Sequence, residues 1–245
     1  MNRFAGLVRR CIEDYSMIEN GDKIAVGVSG GKDSLSLLAA LSSIRGYYPE
    51  KFELYAVTVD LGFKNMDYSP IEEYCRSISV PYIIKRTDIK SVVFDERQEK
   101  NPCSLCAKMR RGSLCDLLNE NGIKKIALGH HFDDAVETFM MSLLFEGRIS
   151  CFQPVTYLDR SGITQLRPML YVGEGTVRKI AEKYSLPVVE NTCPMDSESK
   201  RHEIKQLIAD LSKSYPDLKS KVFGAMQRLP LEGWRPNEYK RRPLP

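Results

Sequence analysis

The sequence predicts an α/β fold: a doubly wound, parallel five-stranded sheet with an N-terminal helix and a C-terminal helical extension. Three observations carry this. Short apolar runs alternate with stretches of helical periodicity along residues 21–190, the pattern of a parallel sheet with helices on both faces. Two adjacent glycines, Gly30 and Gly31, stand where the first apolar run gives way to a helix. Polar clusters recur just after the strand-like runs, where open α/β sheets meet their ligands.

Residues 1–20 mix acids, bases and apolar residues and read as an amphipathic helix rather than a leader peptide. Residues 21–190 form the expected core domain. "KIAVGV" is its first strand, and Leu35, Leu38, Leu41 and Ile44 then recur at helical spacing. "FELYAVTVD" is a second strand, "PIEEYCRSISV" a helix ended before Pro81, and "YIIKRTDI" a third strand. The helix through "SLCAKMRRGSLCDLLNENG" stops at Asn121-Gly122. "KKIALG" is the fourth strand. "DDAVETFMMSLLFEG" is a helix with Val136, Phe139, Met140, Leu143 and Leu144 on one face. "ITQLRPML" is the fifth strand, and "EGTVRKIAEKYSL" another helix. Residues 191–245 add a helical region from Glu198 to Leu229 and an extended, proline-bearing tail.

The chain has 245 residues, enough for a sizeable core. No stretch approaches the roughly 20 apolar residues that span a bilayer, so no membrane partner is expected and the protein is placed in the cytoplasm. There its seven cysteines are ligands, catalytic groups or core residues rather than disulfides. The net charge of +4 permits a nucleic-acid partner without requiring one.

The turn "VSGGKDS" combines several phosphate-binding devices. Gly30 and Gly31 let the backbone approach a ligand, and the helix that follows presents its positive end. Lys32 adds a cation, and Ser29 and Ser34 add hydroxyls. Asp33 would repel a phosphate directly, so it suits a helix cap or a bridging Mg²⁺. The spacing is not that of the GxxxxGK[ST] loop.

Cys103 and Cys106 lie three apart on one helical face, which Arg110 extends. Such a pair fits a redox couple, half a zinc site or part of an iron–sulfur site. Among the remaining cysteines, Cys193 lies in a polar loop and is the best third ligand. Cys11, Cys75 and Cys115 suit core packing, and Cys151 is ambiguous. Three thiolates suit a cluster with one open iron, or a zinc with an open position. In "ALGHHFDDAVETF", Asp133 and Asp134 start a helix, as caps or as groups that hold Mg²⁺ or take a proton. The adjacent His130 and His131 point apart at a strand end and are expected in the site walls.

These stretches carry a resemblance. The SGGxDS turn is similar to the pyrophosphate loop of ATP pyrophosphatases, in which the end of the second strand, Val57 to Asp60, borders the nucleotide. "CSLCAKMRRGSL", "KIALGHHFDDAVETF", "LRPMLYV" and "CPMDSESKRHEIKQLIADL" follow in order, and nearly the whole chain resembles the tRNA 2-thiocytidine synthetase family. The resemblance implies adenylation of the C2 oxygen of a tRNA cytidine by ATP and its replacement by sulfur, with release of AMP and pyrophosphate. It implies a [4Fe–4S] cluster on Cys103, Cys106 and Cys193, whose open iron carries sulfide. ATP and Mg²⁺ would be held by Ser29, Gly30, Gly31, Lys32, Asp33 and Ser34, with Val57, Asp60 and Gly129 alongside. Asp133 or Asp134 would assist adenylation. Arg110, Arg111 and Arg167 would meet phosphate or RNA charge, Arg110 close to the chemistry. The implied partners are tRNA and a sulfur donor, either sulfide or a cysteine desulfurase system. The amphipathic N-terminal helix offers a face to a second copy.

One departure is Glu190, where the family often has a second cysteine. The flanking zinc-finger modules of the 2-thiouridine branch are missing, which favours cytidine. The alternatives are a tRNA uridine, a lysidine-synthetase-like modification or a non-enzymatic iron–sulfur or RNA-binding protein. The first two share the activation chemistry; lysidine synthesis and the binding role leave part of the motif set without a purpose.

Overall fold

A computed structural model describes residues 1–97, 102–189, 193 and 200–228. Among these residues six strands form one sheet: β1 (Asp22–Gly27), β2 (Phe52–Asp60), β3 (Tyr82–Arg86), β4 (Lys125–Ala127), β5 (Val155–Leu158) and β6 (Ile163–Leu166). Their order is β3-β2-β1-β4-β6-β5. All neighbouring pairs are parallel except β5 and β6. The chain builds outward from β1 to β3, then returns to the other side of β1 with β4. The switch point therefore lies between β1 and β4, where open sheets of this kind leave a crevice.

The expected five-stranded sheet is corrected to six strands. The additional strand is β5, an antiparallel edge that forms a hairpin with β6. It spans only four residues, and Tyr157 is exposed. A strand so short and so little buried leaves little periodic trace. Gly162, with φ of +66°, supplies the left-handed residue of the turn.

Among the described residues, eight α-helices accompany the sheet: α1 (Asn2–Asp14), α2 (Lys32–Arg45), α3 (Ser69–Ser77), α4 (Pro102–Glu120), α5 (Phe132–Glu146), α6 (Glu174–Lys183), α7 (Lys200–Ser214) and α8 (Leu218–Arg228). A π-helical turn, Ser91–Glu96, precedes α4. The expected single C-terminal helical region is divided into α7 and α8. Pro216 lies at the division, where its ring and missing N–H oppose a continuous helix.

The sheet separates two cores. On one face, α1, α2, α5 and the later helices pack with Ile24, Val26 and Ala127. On the other, Leu117 and Leu118 of α4 pack with Ala25, Val57, Ile126 and Ile163. The alternation along each strand decides which residue joins which core. Helix α2 is enclosed: Ser34 to Leu41 are all buried. An unbroken buried run of this kind marks an interior helix rather than an amphipathic surface one.

Gly129 lets the first turn of α2 rest on the chain leaving β4. A Cβ there would lie 3.0 Å from the carbonyl carbon of Asp33 and the amide nitrogen of Ser34. Those are backbone atoms, which cannot turn aside. Gly6, in α1, has nothing within 4 Å of its would-be Cβ. Gly129→Ala is expected to lose about 1–3 kcal/mol by overpacking, whereas Gly6→Ala gains about 0.5–1 kcal/mol from helix propensity. Denaturant melts of the two variants give opposite shifts in midpoint; a neutral Gly129→Ala would contradict the close packing.

Candidate functional site

The turn after β1 is built around its own hydroxyls. Ser34 Oγ donates to the Gly31 carbonyl at 2.9 Å and accepts from the Ser29 amide at 3.2 Å. Ser29 Oγ lies 3.4 Å from it. Gly30 has φ of +89°, a conformation that favours glycine. Gly31 starts α2 without a side-chain cap, which leaves the positive end of the helix for an anion. Lys32 Nζ stands 3.2 Å from Asp33 Oδ1 and 3.6 Å from Glu174 Oε1. Asp33 Oδ1 is shut off from solvent and has no hydrogen bond of good geometry. A buried carboxylate oxygen in that condition fits a cation such as Mg²⁺.

At the end of β2, Val57 is buried, and its carbonyl accepts from the Val28 amide at 2.8 Å. Val57 thus helps hold the strand that precedes the turn. Asp60 Oδ1 accepts from the Gly62 amide, and its carbonyl accepts from Thr87.

The chain leaving β4 places its histidines on opposite sides. His131 is buried towards the turn, with Nε2 3.8 Å from Asp33 Oδ1. It also caps α5: Asp134 N donates to His131 Nδ1, and His131 N donates to Asp134 Oδ2 at 2.9 Å. Asp134 Oδ1 is held by Arg201 at 2.8 Å. Asp133 is buried, accepting from the Glu174 amide at 2.7 Å and from Lys219 Nζ at 2.6 Å. Burial opposes its charge, but the Lys219 ammonium and the Glu174 amide outweigh it and hold the carboxyl below its usual range. All four carboxylate oxygens of the pair thus have partners. Glu174 bonds Lys205, which with Lys32 brings it down to about 2 against partial burial.

His130 faces the other way. Its ring lies 5.0 Å from that of Phe152, and Arg167 lies over the same Phe152 ring at 4.9 Å. Arg167 is buried and donates to the Gln153 carbonyl, Thr156 and Gln165. Its charge is therefore met largely from inside the fold. Arg110 and Arg111, by contrast, are exposed on α4.

Cys103 is exposed, and Cys106 and Cys193 are half-buried. Burial raises the Cys106 thiol, Arg110 opposes the shift, and Cys193 and Cys103 add to it. Both of the other thiols therefore lie within the electrostatic reach of Cys106. Among the described residues no three such side chains are drawn together into a closed metal-holding group. The three form an open thiol set, the donor type that an iron–sulfur cluster requires. Cys11 and Cys75 are buried, with their thiols raised by desolvation, and Cys115 packs against the α4 core. Burial also raises Cys151, to about 12, so it is unsuited to act as a thiolate.

Val189 rests on the glycine turn. Its amide donates to the Gly30 carbonyl at 3.0 Å, and a Cβ on Gly30 would lie 3.3 Å from Val189 Cβ. Cys193 is four residues further on, a reach of about 14 Å at most. Cys193 therefore lies within that distance of the glycine turn along the chain.

Sequence reasoning did not find Glu174, Arg201, Lys205, Lys219 or Val189. The four charged residues look like solvated helix faces, Val189 acts through its backbone amide, and only tertiary packing brings α7 and α8 onto α5. Asp133, two positions beyond a histidine and on a helix start, gave a signal; its partners gave none.

Residues 4–211 match the family described as the PP-loop domain. A tRNA-cytidine(32) 2-sulfurtransferase of Syntrophotalea carbinolica is 38% identical over 90% of this chain and 86% of its own length. A tRNA-cytidine(32) 2-sulfurtransferase of Geobacter sulfurreducens is 36% identical over 89% of this chain and 86% of its own. Among solved structures, the U34-tRNA thiolase NcsA from Methanococcus maripaludis with its [4Fe-4S] cluster superposes with a TM-score of 0.77 at 26% identity. The match covers 93% of this chain and 78% of that one.

The site sets two acid limbs on stability. Burial, then Arg167, lowers His130 from 6.5 to about 4. The unfolded chain then binds more protons between those values, so this contribution is complete above pH 6.5 and lost as pH falls to about 4. Glu174 contributes fully above its ordinary 4.5 and loses that contribution as pH falls to about 2. Denaturant midpoints against pH should show His130→Phe flattening the upper limb and Glu174→Gln the lower. Parallel curves for wild type and both variants would contradict the assignment.

Proposed function

The chain belongs to the PP-loop domain family, and on that premise we propose that it is an ATP-dependent tRNA thiolase that replaces the C2 oxygen of a tRNA cytidine with sulfur. The observation that carries this is the short run of chain from the glycine turn through Val189 to Cys193, a thiol that, like Cys103, acts on Cys106. A phosphate-binding turn alone supports many activation reactions. A turn accompanied by these three thiols supports one whose second half uses sulfur. The relatives named tRNA-cytidine(32) 2-sulfurtransferase support the base and the nucleic acid.

Activation joins the base O2 to the α-phosphorus of ATP and breaks its bond to pyrophosphate. Sulfur then forms a bond to C2, and AMP leaves with the original oxygen. In this reading Ser29 to Ser34 seat the phosphates, Lys32 neutralises their charge, and Asp33 Oδ1 meets Mg²⁺. Asp60 borders the nucleoside, Val57 is buried in the α4 core and supports the strand before the turn instead of lining the site, and Gly129 keeps the turn close to β4. Asp133 and Asp134 act as positioning residues, since every carboxylate oxygen they have is already engaged. Arg110 and Arg111, exposed on the thiol-bearing helix, meet RNA phosphate. Cys103, Cys106 and Cys193 would hold a [4Fe–4S] cluster, which when bound supplies an iron not ligated by the chain on which sulfide is carried.

A uridine target is the second reading, favoured by the likeness to a U34-tRNA thiolase. Anaerobic incubation with ATP, Mg²⁺, sulfide and unmodified tRNA, followed by nucleoside mass spectrometry, separates the two. 2-Thiocytidine is expected, and 2-thiouridine would move the assignment to uridine. A reconstituted protein that yields no thionucleoside would overturn the thiolase. Cys193→Ala should lose sulfur transfer and iron while retaining ATP affinity within about twofold. Loss of ATP binding in that variant would place Cys193 in the turn's support instead. A colourless, anaerobically purified protein with one tightly held zinc would remove the cluster.

A further inference from the structure

The strand parity at the end of β4 sorts the edge chemically. Ile126 and Leu128 face the α4 core, whereas Ala127 faces the other. Continued, this sends Gly129 and His131 to the ATP turn and His130 to the thiol-bearing side. The same parity along β6 puts Ile163, Gln165 and Arg167 on the α4 side, and Arg111 of α4 lies within electrostatic reach of Arg167. His130, Phe152 and Arg167 thus form a ring-and-guanidinium stack where the two faces meet. A base whose oxygen is activated from one side and whose carbon receives sulfur from the other must sit across that edge.

Two atoms in the stack are unfinished. His130 Nδ1 and Arg167 Nε are both shut off from solvent, and neither has a hydrogen-bond partner. Orphaned buried polar atoms are few in folded proteins and call for an explanation, such as a bound group that completes them. Histidine χ2 is a soft torsion, so a modest ring turn presents Nδ1 to a ligand.

We propose that His130, Phe152 and Arg167 seat the target pyrimidine, Phe152 by stacking on the ring and His130 and Arg167 by bonding its polar edge. This rests on the thiolase reading above. Cytosine suits the pair: its exocyclic amine is a donor for an imidazole nitrogen, and its N3 and O2 are acceptors for a guanidinium N–H. The low proton affinity of His130 keeps the ring neutral near pH 7, so one nitrogen is free to accept. Uracil offers a carbonyl in place of the amine and mismatches that acceptor. His131, one residue on, is unavailable for this task because it caps α5.

The test compares wild type, His130→Phe and Phe152→Leu, all cluster-loaded, on unmodified tRNA. His130→Phe keeps a ring against Phe152 and removes both nitrogens. It should cut kcat/KM for thiolation about tenfold or more, the loss of roughly one well-made hydrogen bond to a base. Phe152→Leu should raise KM for tRNA more than it lowers kcat. Iron content and ATP affinity should match wild type in both, a result that a general structural role would not give. Thiolation by His130→Phe within twofold of wild type would overturn the base seat while leaving the thiolase standing. Equal losses of iron or ATP affinity in both variants would also overturn it, by placing the stack in the scaffold. A wild-type protein that leaves tRNA unthiolated would remove the function and the base seat together.

Discussion

The contact on which the rest depends is the seating of α2 on the chain that leaves β4, with only a glycine between them. Gly129 brings the backbone of Asp33 and Ser34 to within about one atom of the neighbouring strand end. That places the phosphate turn, Asp33 and His131 around a single crevice. It also fixes the helix end, so the positive dipole points where the chain switches direction across the sheet. A side chain at Gly129 would lift the turn and move every group in the crevice relative to β4.

Charge then holds the rim. The starts of α5 and α6 carry Asp133, Asp134 and Glu174, and the bases that answer them come from α7, α8 and the turn itself. Like charges collected in one place would repel, so the C-terminal helices are part of the site's electrostatics as well as of its packing. Asp133 joins three elements at once, through the amide of α6, the ammonium on α8 and its own place in α5. Helices α7 and α8 thus complete the charge balance of the sheet's polar edge from outside the sheet.

Much of this was legible in the sequence because it was local. The strands β1 to β4, the Gly-Gly turn and the CxxC helix each announce themselves within a dozen residues. Adjacent histidines at a strand end were expected to point apart, and His130 and His131 do so because side chains alternate along extended backbone. Strand β5 was missed because four residues with one exposed face carry almost no periodic signal. The break at Pro216 was present in the sequence, yet the helical patterns on either side masked it. Arg167 was expected to meet phosphate or RNA charge, whereas three acceptors and an aromatic ring enclose it. Partners such as Lys219 for Asp133 lie 86 residues apart, and no spacing rule reaches that far.

The hairpin of β5 on β6 has a consequence for association. An open sheet invites further strands along its outer edges unless those edges are short, charged or interrupted. Here one border is β5, four residues ending before Asp159-Arg160, and the other is β3, five residues that follow Pro81 and close on Lys85-Arg86. Either border offers a newcomer only a few ladder bonds and a row of charge. Growth of the sheet from molecule to molecule is therefore discouraged at both margins, and the helices are left as the surfaces through which a companion chain would be recognised.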